Sequence, residues 1–290
     1  MRAMLPTTYR FADAQAVSIH GETLENSLPG NFFTYTLKEP VGVVAGIIPW
    51  NGPVFNAAWK IAPVLARGCT LVLKCAEQAA YSPLRMADLC MEAGVPPGVI
   101  NIITGRGSVA GHALAAHPDV DKVAFTGSTA TGRKIVEASG VNFKKVTLEL
   151  GGKSPDIVFA DADLDQAVPG AGMGVFGNSG QVCCAGTRLY VERPIYDEFV
   201  ERLAKFANSL NVGNALDPNT QIGPLVTDVQ LNRVTGYLEA GRNEGATAVA
   251  GGERLTANLL VEGYCIPPTV IRDVTQDMRI GRAEIFWPVI

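Results

Sequence analysis

No apolar run in this chain is long enough to cross a bilayer: the longest, Val41 to Trp50, falls well short of the ~20 residues a spanning helix needs. Positive charge is in short supply as well. Twenty-four Lys and Arg against 28 Asp and Glu leave a net charge of −4 and a pI of about 5.5. Without a basic stripe to neutralise phosphates, nucleic acid and anionic membrane are not expected partners. The N-terminus, Met1 to Pro6, lacks the apolar core of a signal peptide. Histidine is scarce. His20, His112 and His117 show no metal-ligand spacing, so no metal site is expected and a Cys–His hydrolase has little to build on. The six cysteines contain no Cys-x-x-Cys pair, and there is no Asn-x-Ser/Thr sequon. Reduced thiols and a cytoplasmic location are the expectation.

What is present is apolar and regularly patterned. Hydrophobic residues make up 47% of the 290 and charged residues 18%, which suits a packed globular chain. From residue 41 short apolar runs alternate with helical patterns. Strands are expected at Val41–Ile48, Thr70–Lys74, Val99–Thr104, Lys122–Thr126 and Lys145–Leu150. Helices are expected at Pro53–Arg67, Leu84–Ala93, Val109–Ala116 and Ala130–Ala138. Continuous apolar strands separated by helices imply a parallel sheet covered on both faces, an α/β doubly wound dinucleotide-binding architecture. After Gly151-Gly152 the alternation resumes, with strands at Asp156–Phe159 and Arg188–Val191 and helices at Ala167–Phe176, Tyr196–Leu210 and Val229–Glu244. Two domains follow: residues 1–150, nucleotide-binding, and residues 151–290, a second and incomplete α/β catalytic domain. The aromatic, β-branched Phe32–Leu37 reads as a strand within an appendage at residues 22–39, which either pairs with another chain or packs on its own domain.

Several segments carry chemistry. Gly105-Arg106-Gly107-Ser108-Val109-Ala110-Gly111 joins a strand to a helix, where glycines admit a pyrophosphate at a helix N-terminus; alone it equally describes a tight turn. Phe125 to Lys134 imitates a P-loop, but Arg133 and Lys134 occupy its lysine and hydroxyl positions, which excludes a nucleoside triphosphatase. Lys74 and Glu77 follow a strand in the order suited to ribose recognition, although a solvated ion pair explains them as simply. Glu149 interrupts an apolar run. Burial there would raise its pKa and suit a general base, the alternative being an ion pair with Lys153 or an arginine. Cys183 stands in the glycine-rich stretch Gly180 to Arg188, able to face a cleft; with extended backbone Cys184 would point elsewhere. Asp161-Ala162-Asp163-Leu164-Asp165 opens like a calcium loop but lacks its glycine and glutamate, and reads instead as the acidic start of a helix.

In combination these residues resemble the aldehyde dehydrogenase superfamily. The ordered matches are Pro49-Trp50-Asn51, Lys74-Cys75-Ala76-Glu77, Phe125-Thr126-Gly127-Ser128, Leu148 to Lys153, Gly180-Gln181-Val182-Cys183 and Glu284-Ile285-Phe286, with Glu149 preceding Cys183 by 34 positions. The resemblance implies an NAD-dependent oxidation of an aldehyde to a carboxylic acid. Cys183 would attack the carbonyl carbon, with the Asn51 amide and the Cys183 N–H holding the oxyanion. Glu149 would activate the water that hydrolyses the thioester. Lys74, a member of this catalytic set, and Glu77 would hold the adenosine ribose. Ile48, Pro49, Trp50, Asn51, Gly107, Gly111, Phe125, Thr126, Gly127, Ser128 and Leu150 would line NAD, and Glu284 and Phe286 the nicotinamide ribose. Trp59, Val182 and Cys184 would meet the aldehyde, with Gly52 and Asn56 as neighbours. A homo-oligomer is also implied.

The sequence departs from the family at Trp287, where a glycine is usual, and at His112, where a small residue is common. A tryptophan where a glycine turns the chain beside the nicotinamide is expected to distort the cofactor's position. Family members extend further at both ends, so a truncated dehydrogenase is expected. A nucleotide-binding remnant without turnover, and a cofactor-independent thioesterase or esterase using Cys183, are the alternatives.

Overall fold

The computed structural model describes residues 4–255 and 263–290. The chain forms two compact units, the second beginning at Gly151.

In the first unit five parallel strands make one sheet: β3 (Val43–Ile47), β4 (Thr70–Lys74), β5 (Ile100–Ile103), β6 (Lys122–Gly127) and β7 (Lys145–Leu150). Their order, β5-β4-β3-β6-β7, reverses direction at β3. Successive residues of a strand face opposite sides. Val44, Leu71 and Leu73 thus pack with α2 (Pro53–Ala66) and α3 (Tyr81–Glu92), while Ala45, Val123 and Phe125 pack with α4 (His112–Ala116) and α5 (Thr129–Ser139). Both faces are covered, which is why these strands read as unbroken apolar runs. The expected α/β class is observed. An unforeseen helix, α1 (Met4–Ala16), contributes Tyr9 to the α2 side. Within the appendage Thr34–Tyr35 (β2) pairs antiparallel with Thr23–Leu24 (β1). The expected strand is therefore much shorter, and the appendage pairs with itself.

In the second unit β8 (Pro155–Val158) and β9 (Arg188–Val191) pair in parallel. They pack with α6 (Leu164–Phe176) and α7 (Tyr196–Ser209) around Phe176, Phe199 and Leu203. Asp163 caps α6 by accepting the Asp165 N–H, so the acidic stretch does open a helix. β10 (Thr247–Ala250) and β11 (Val270–Arg272) form an antiparallel pair. A separate core gathers α8 (Asp228–Asn243), α9 (Arg279–Arg282) and Trp287.

Candidate active site

In parallel α/β sheets ligands collect at the carboxyl ends of the strands, where the strand order reverses. Here that place lies at the ends of β3 and its neighbours. Ile48 to Gly52 link β3 to α2, so Asn51 sits just before the helix; Ile48 is buried, and Pro49 and Trp50 are half-buried. One turn on, Asn56 is buried and donates to the Gly52 carbonyl at 2.9 Å. Trp59 is half exposed, its ring edge-on to Phe55 at 4.7 Å.

Lys74 ends β4, 3% exposed, with its ammonium 3.5 Å from Glu77. The other Glu77 oxygen accepts the Gly107 N–H at 2.7 Å. Burial alone would raise the Glu77 pKa. Hydrogen bonds from its own N–H and that of Gly107, with the Lys74 ammonium, outweigh burial and hold the carboxyl below its usual range. The glycine turn is a π-helical turn, Gly107–Gly111, running into α4. Such turns are rare and concentrate at functional sites. Glu77 thus joins Lys74 to the glycine turn, which the bare spacing did not reveal.

At the end of β6, a side chain at Gly127 would come within 2.6 Å of the Phe125 ring, and Ser128 caps α5 by accepting the Thr131 N–H at 3.3 Å. Leu150 packs over α5, 2.7 Å from where a Gly132 Cβ would stand. Thr126 and Glu149 are register partners across β6 and β7, so they share a face. Glu149 is exposed rather than buried in its strand; Val146, Leu148 and Leu150 turn inward instead. The expected burial of this carboxylate is not found in the first unit.

Lys60 is a residue that sequence reasoning missed. It lies on α2, 8% exposed, and donates to Thr126 Oγ1 at 2.9 Å. Burial pulls its pKa down to about 8, while the Glu149 carboxylate pulls the other way. Lys60, Thr126 and Glu149 therefore make one polar cluster on the sheet. The available signal was a lysine placed in an otherwise apolar helix.

The second unit holds the thiol. Before Cys183, three consecutive residues are left-handed: Asn178 (φ 50), Ser179 (φ 54) and Gly180 (φ 67). Non-glycine residues rarely tolerate this conformation, and such strain clusters at functional sites. Ser179 is buried and donates to the Gly223 carbonyl at 3.1 Å. A side chain at Gly180 would collide with the backbone of Trp287 and Pro288. Cys183 and Cys184 then occupy the centre of a turn closed by Ala185 N–H on the Val182 carbonyl, 3.3 Å away. Both cysteines are exposed and Val182 is half-buried. The backbone turns here rather than extending, so the condition under which Cys184 would point elsewhere is not met. Burial pushes the Cys183 thiol up and Cys184 adds to this, against the N–H groups of Cys183 and Cys184.

Glu284 faces the start of this unit. A side chain at Gly151 would run into its carboxylate, which accepts the Gly152 N–H. Burial raises the Glu284 pKa, against that hydrogen bond, Arg233 and Lys153. Lys153 is itself held down to about 8, chiefly by burial and then by Arg188, while Glu284 raises it. Phe286, not Trp287, takes the left-handed turn (φ 66). Trp287 is fully buried in the core with Leu225, Leu231 and Ile285.

A doubly wound α/β unit with a Lys–Glu ion pair beyond its sheet is followed by a unit that presents an exposed thiol on a turn after a left-handed segment. The model of the aldehyde dehydrogenase family matches residues 3–290. The chain is 49% identical to aldehyde dehydrogenase family 2 member C4 of Arabidopsis thaliana, over 99% of this chain and 57% of that protein. With the mouse protein "Aldehyde dehydrogenase, cytosolic 1" the identity is 50%, over 94% of this chain and 54% of that one. The NAD+ complex of the aldehyde dehydrogenase from Bacillus cereus superposes with a TM-score of 0.93 at 48% identity, covering 98% of this chain and 56% of that one. The chain belongs to the aldehyde dehydrogenase family, and it spans a little over half the length of these relatives.

Proposed function

We propose that this chain carries the chemistry of NAD-dependent oxidation of an aldehyde to a carboxylic acid. The observation that carries the reading is Cys183, exposed at the centre of a turn and preceded by a strained left-handed segment, in a chain of this family. The Lys74–Glu77–Gly107 arrangement fits a ribose and its neighbouring phosphate: a carboxylate already accepting a backbone N–H beside an ammonium accepts from hydroxyls and repels a 2′-phosphate. Ile48 to Asn51, Gly111, Phe125 to Ser128 and Leu150 complete the proposed cofactor set in the first unit, and Glu284 and Phe286 in the second. The family's NAD-bound structures support NAD as the cofactor.

Deprotonated Cys183 attacks the carbonyl carbon, and the Cys183 N–H with the Asn51 amide stabilises the developing oxyanion. NAD, when bound, supplies the hydride acceptor. Glu149 takes a proton from the water that releases the acid from the Cys183 thioester. Lys60 stands with Thr126 and Glu149 in one polar cluster on this face of the sheet. Trp59, Val182 and Cys184 meet the substrate side chain. A cytoplasmic homo-oligomer completes the proposal; among the described residues no helix is long and apolar enough to cross a membrane.

The test is NADH formation by the 290-residue chain with aliphatic and aromatic aldehydes, beside Cys183→Ala. Turnover lost on substitution supports the reading. Ester or thioester cleavage that persists without NAD favours the hydrolase. Binding of NAD without turnover makes the chain a nucleotide-binding remnant.

A further inference from the structure

We propose that Lys144 is a positioning residue for the dinucleotide: its ammonium holds the far end of the helical run Gly107–Ala116, and so fixes where the Gly107 N–H meets Glu77. The inference rests on the cofactor reading of that contact and adds what keeps the contact in place. The five-residue π-helical turn Gly107–Gly111 runs directly into the five residues of α4. At one end of this run Gly107 donates to the Glu77 carboxylate at 2.7 Å. At the other, α4 stops at Ala116 and His117 takes extended backbone, which leaves the last carbonyls without helical partners. Lys144, the residue before β7, reaches them. Its ammonium donates to the Ala115 carbonyl at 2.8 Å and to the His117 carbonyl at 2.9 Å. A cation there also suits the negative end of the helix. Asn142 secures the next stretch by donating to the Pro118 carbonyl at 2.6 Å and the Val120 carbonyl at 3.0 Å.

Two features give the ammonium a role beyond filling space. Lys144 is only 8% exposed, yet both of these acceptors are neutral carbonyls rather than carboxylates. Burying a cation on neutral partners is costly, and an apolar side chain would avoid that cost. The second feature is how lightly apolar packing holds the run. Within it only Gly111 and Ala115 are buried, and a glycine and a single methyl group offer little resistance to tilting. Ten helical residues span ~15 Å, so a tilt of about 10° at one end moves the other by about 2.5 Å. That displacement breaks a hydrogen bond of the length found between Gly107 and Glu77. Two directional bonds from one ammonium remove this freedom. Lys144 thus acts on the dinucleotide through the helix, without touching it.

The experiment measures amide–water exchange in the 290-residue chain labelled with 15N-glycine. Gly107 lies in an exposed turn and opens locally, whereas Gly46 lies inside the β3 ladders and exchanges through larger openings. Lys144→Met removes the donors at nearly equal length. Exchange at Gly107 should then rise about tenfold or more, and the NAD dissociation constant from calorimetry by a similar factor. Lys144→Arg keeps a charged donor and should restore both. Where Lys144→Met does not fold, Lys144→Gln makes the same comparison with a neutral donor. A merely structural lysine would speed Gly46 and lower the urea midpoint while Gly107 kept its wild-type rate, and that result overturns the proposal. A wild type that binds no NAD sinks the cofactor reading and the positioning role together. A wild type that binds NAD no more tightly than Lys144→Met sinks the positioning role alone.

Discussion

Lys60 shows how one side chain couples stability to the candidate chemistry. A lysine whose pKa falls from 10.5 to about 8 on folding binds fewer protons folded than unfolded between those values. Stability then rises with pH across this window, and the penalty is fully present below about pH 8. For a side chain this buried the penalty is on the order of 3 kcal/mol. Lys60→Met should therefore flatten the rise in urea-unfolding stability between pH 7 and 10 relative to the wild type. Equal slopes would mean that Lys60 is not desolvated as the structure shows. At Glu77 the issue is charge. Glu77→Gln keeps the shape but loses a charged acceptor worth ~1.5–3 kcal/mol, so NAD affinity should fall about tenfold or more, with less discrimination against NADP. Calorimetric titration with both dinucleotides decides this, and unchanged NAD affinity would remove Glu77 from the ribose site.

Among the elements, β3 is shaped by an absence of side chain. A Cβ at Gly46 would stand 2.6 Å from a Leu73 methyl and 3.3 Å from the Lys60 stem, so the glycine lets α2 lie close enough to bring Lys60 to Thr126. Gly46→Val should cost ~1–3 kcal/mol by overpacking and release the lysine, moving its pKa back toward the ordinary value. The loop before Cys183 is the opposite case, strain held in place. Gly180→Ala adds a left-handed penalty of ~1–2 kcal/mol to a collision with the Trp287–Pro288 backbone. Its unfolding midpoint in urea should drop clearly, and an unchanged midpoint would refute the close approach. These elements also mark what was legible. The strands of the first sheet read directly because continuous apolar runs have few other uses. α1 did not, since its inward face mixes Leu5, Tyr9, Ala12 and Ala16 with the polar Thr8 and Gln15. The left-handed Asn178-Ser179 pair was hidden too, because composition shows where a turn falls and not which dihedral angles the surrounding packing imposes. The turn at Cys183-Cys184 was hidden for the same reason, since an extended stretch and a turn can share one composition.

At the scale of the whole chain, the apolar side chains gather into cores that each draw on one side of Gly151. Val44, Ile61, Leu71 and Phe125 serve the first unit, and Phe176, Leu203, Val234 and Trp287 the second. A sequence read by alternation alone shows this division only as a pause at Gly151-Gly152. Cores that share no residues need not melt together, and multi-unit chains commonly depart from two-state unfolding. The three tryptophans make the point measurable: Trp50 and Trp59 belong to the first unit and Trp287 to the second. A chain carrying Trp287→Phe reports the first unit by fluorescence, and one carrying Trp50→Phe with Trp59→Phe reports the second. Introducing Gly46→Val into each should lower the urea midpoint seen by Trp50 and Trp59 while leaving that of Trp287 in place. If both reporters shift together and by the same amount, the units fold as one cooperative body, and the separate cores are not separate in energy.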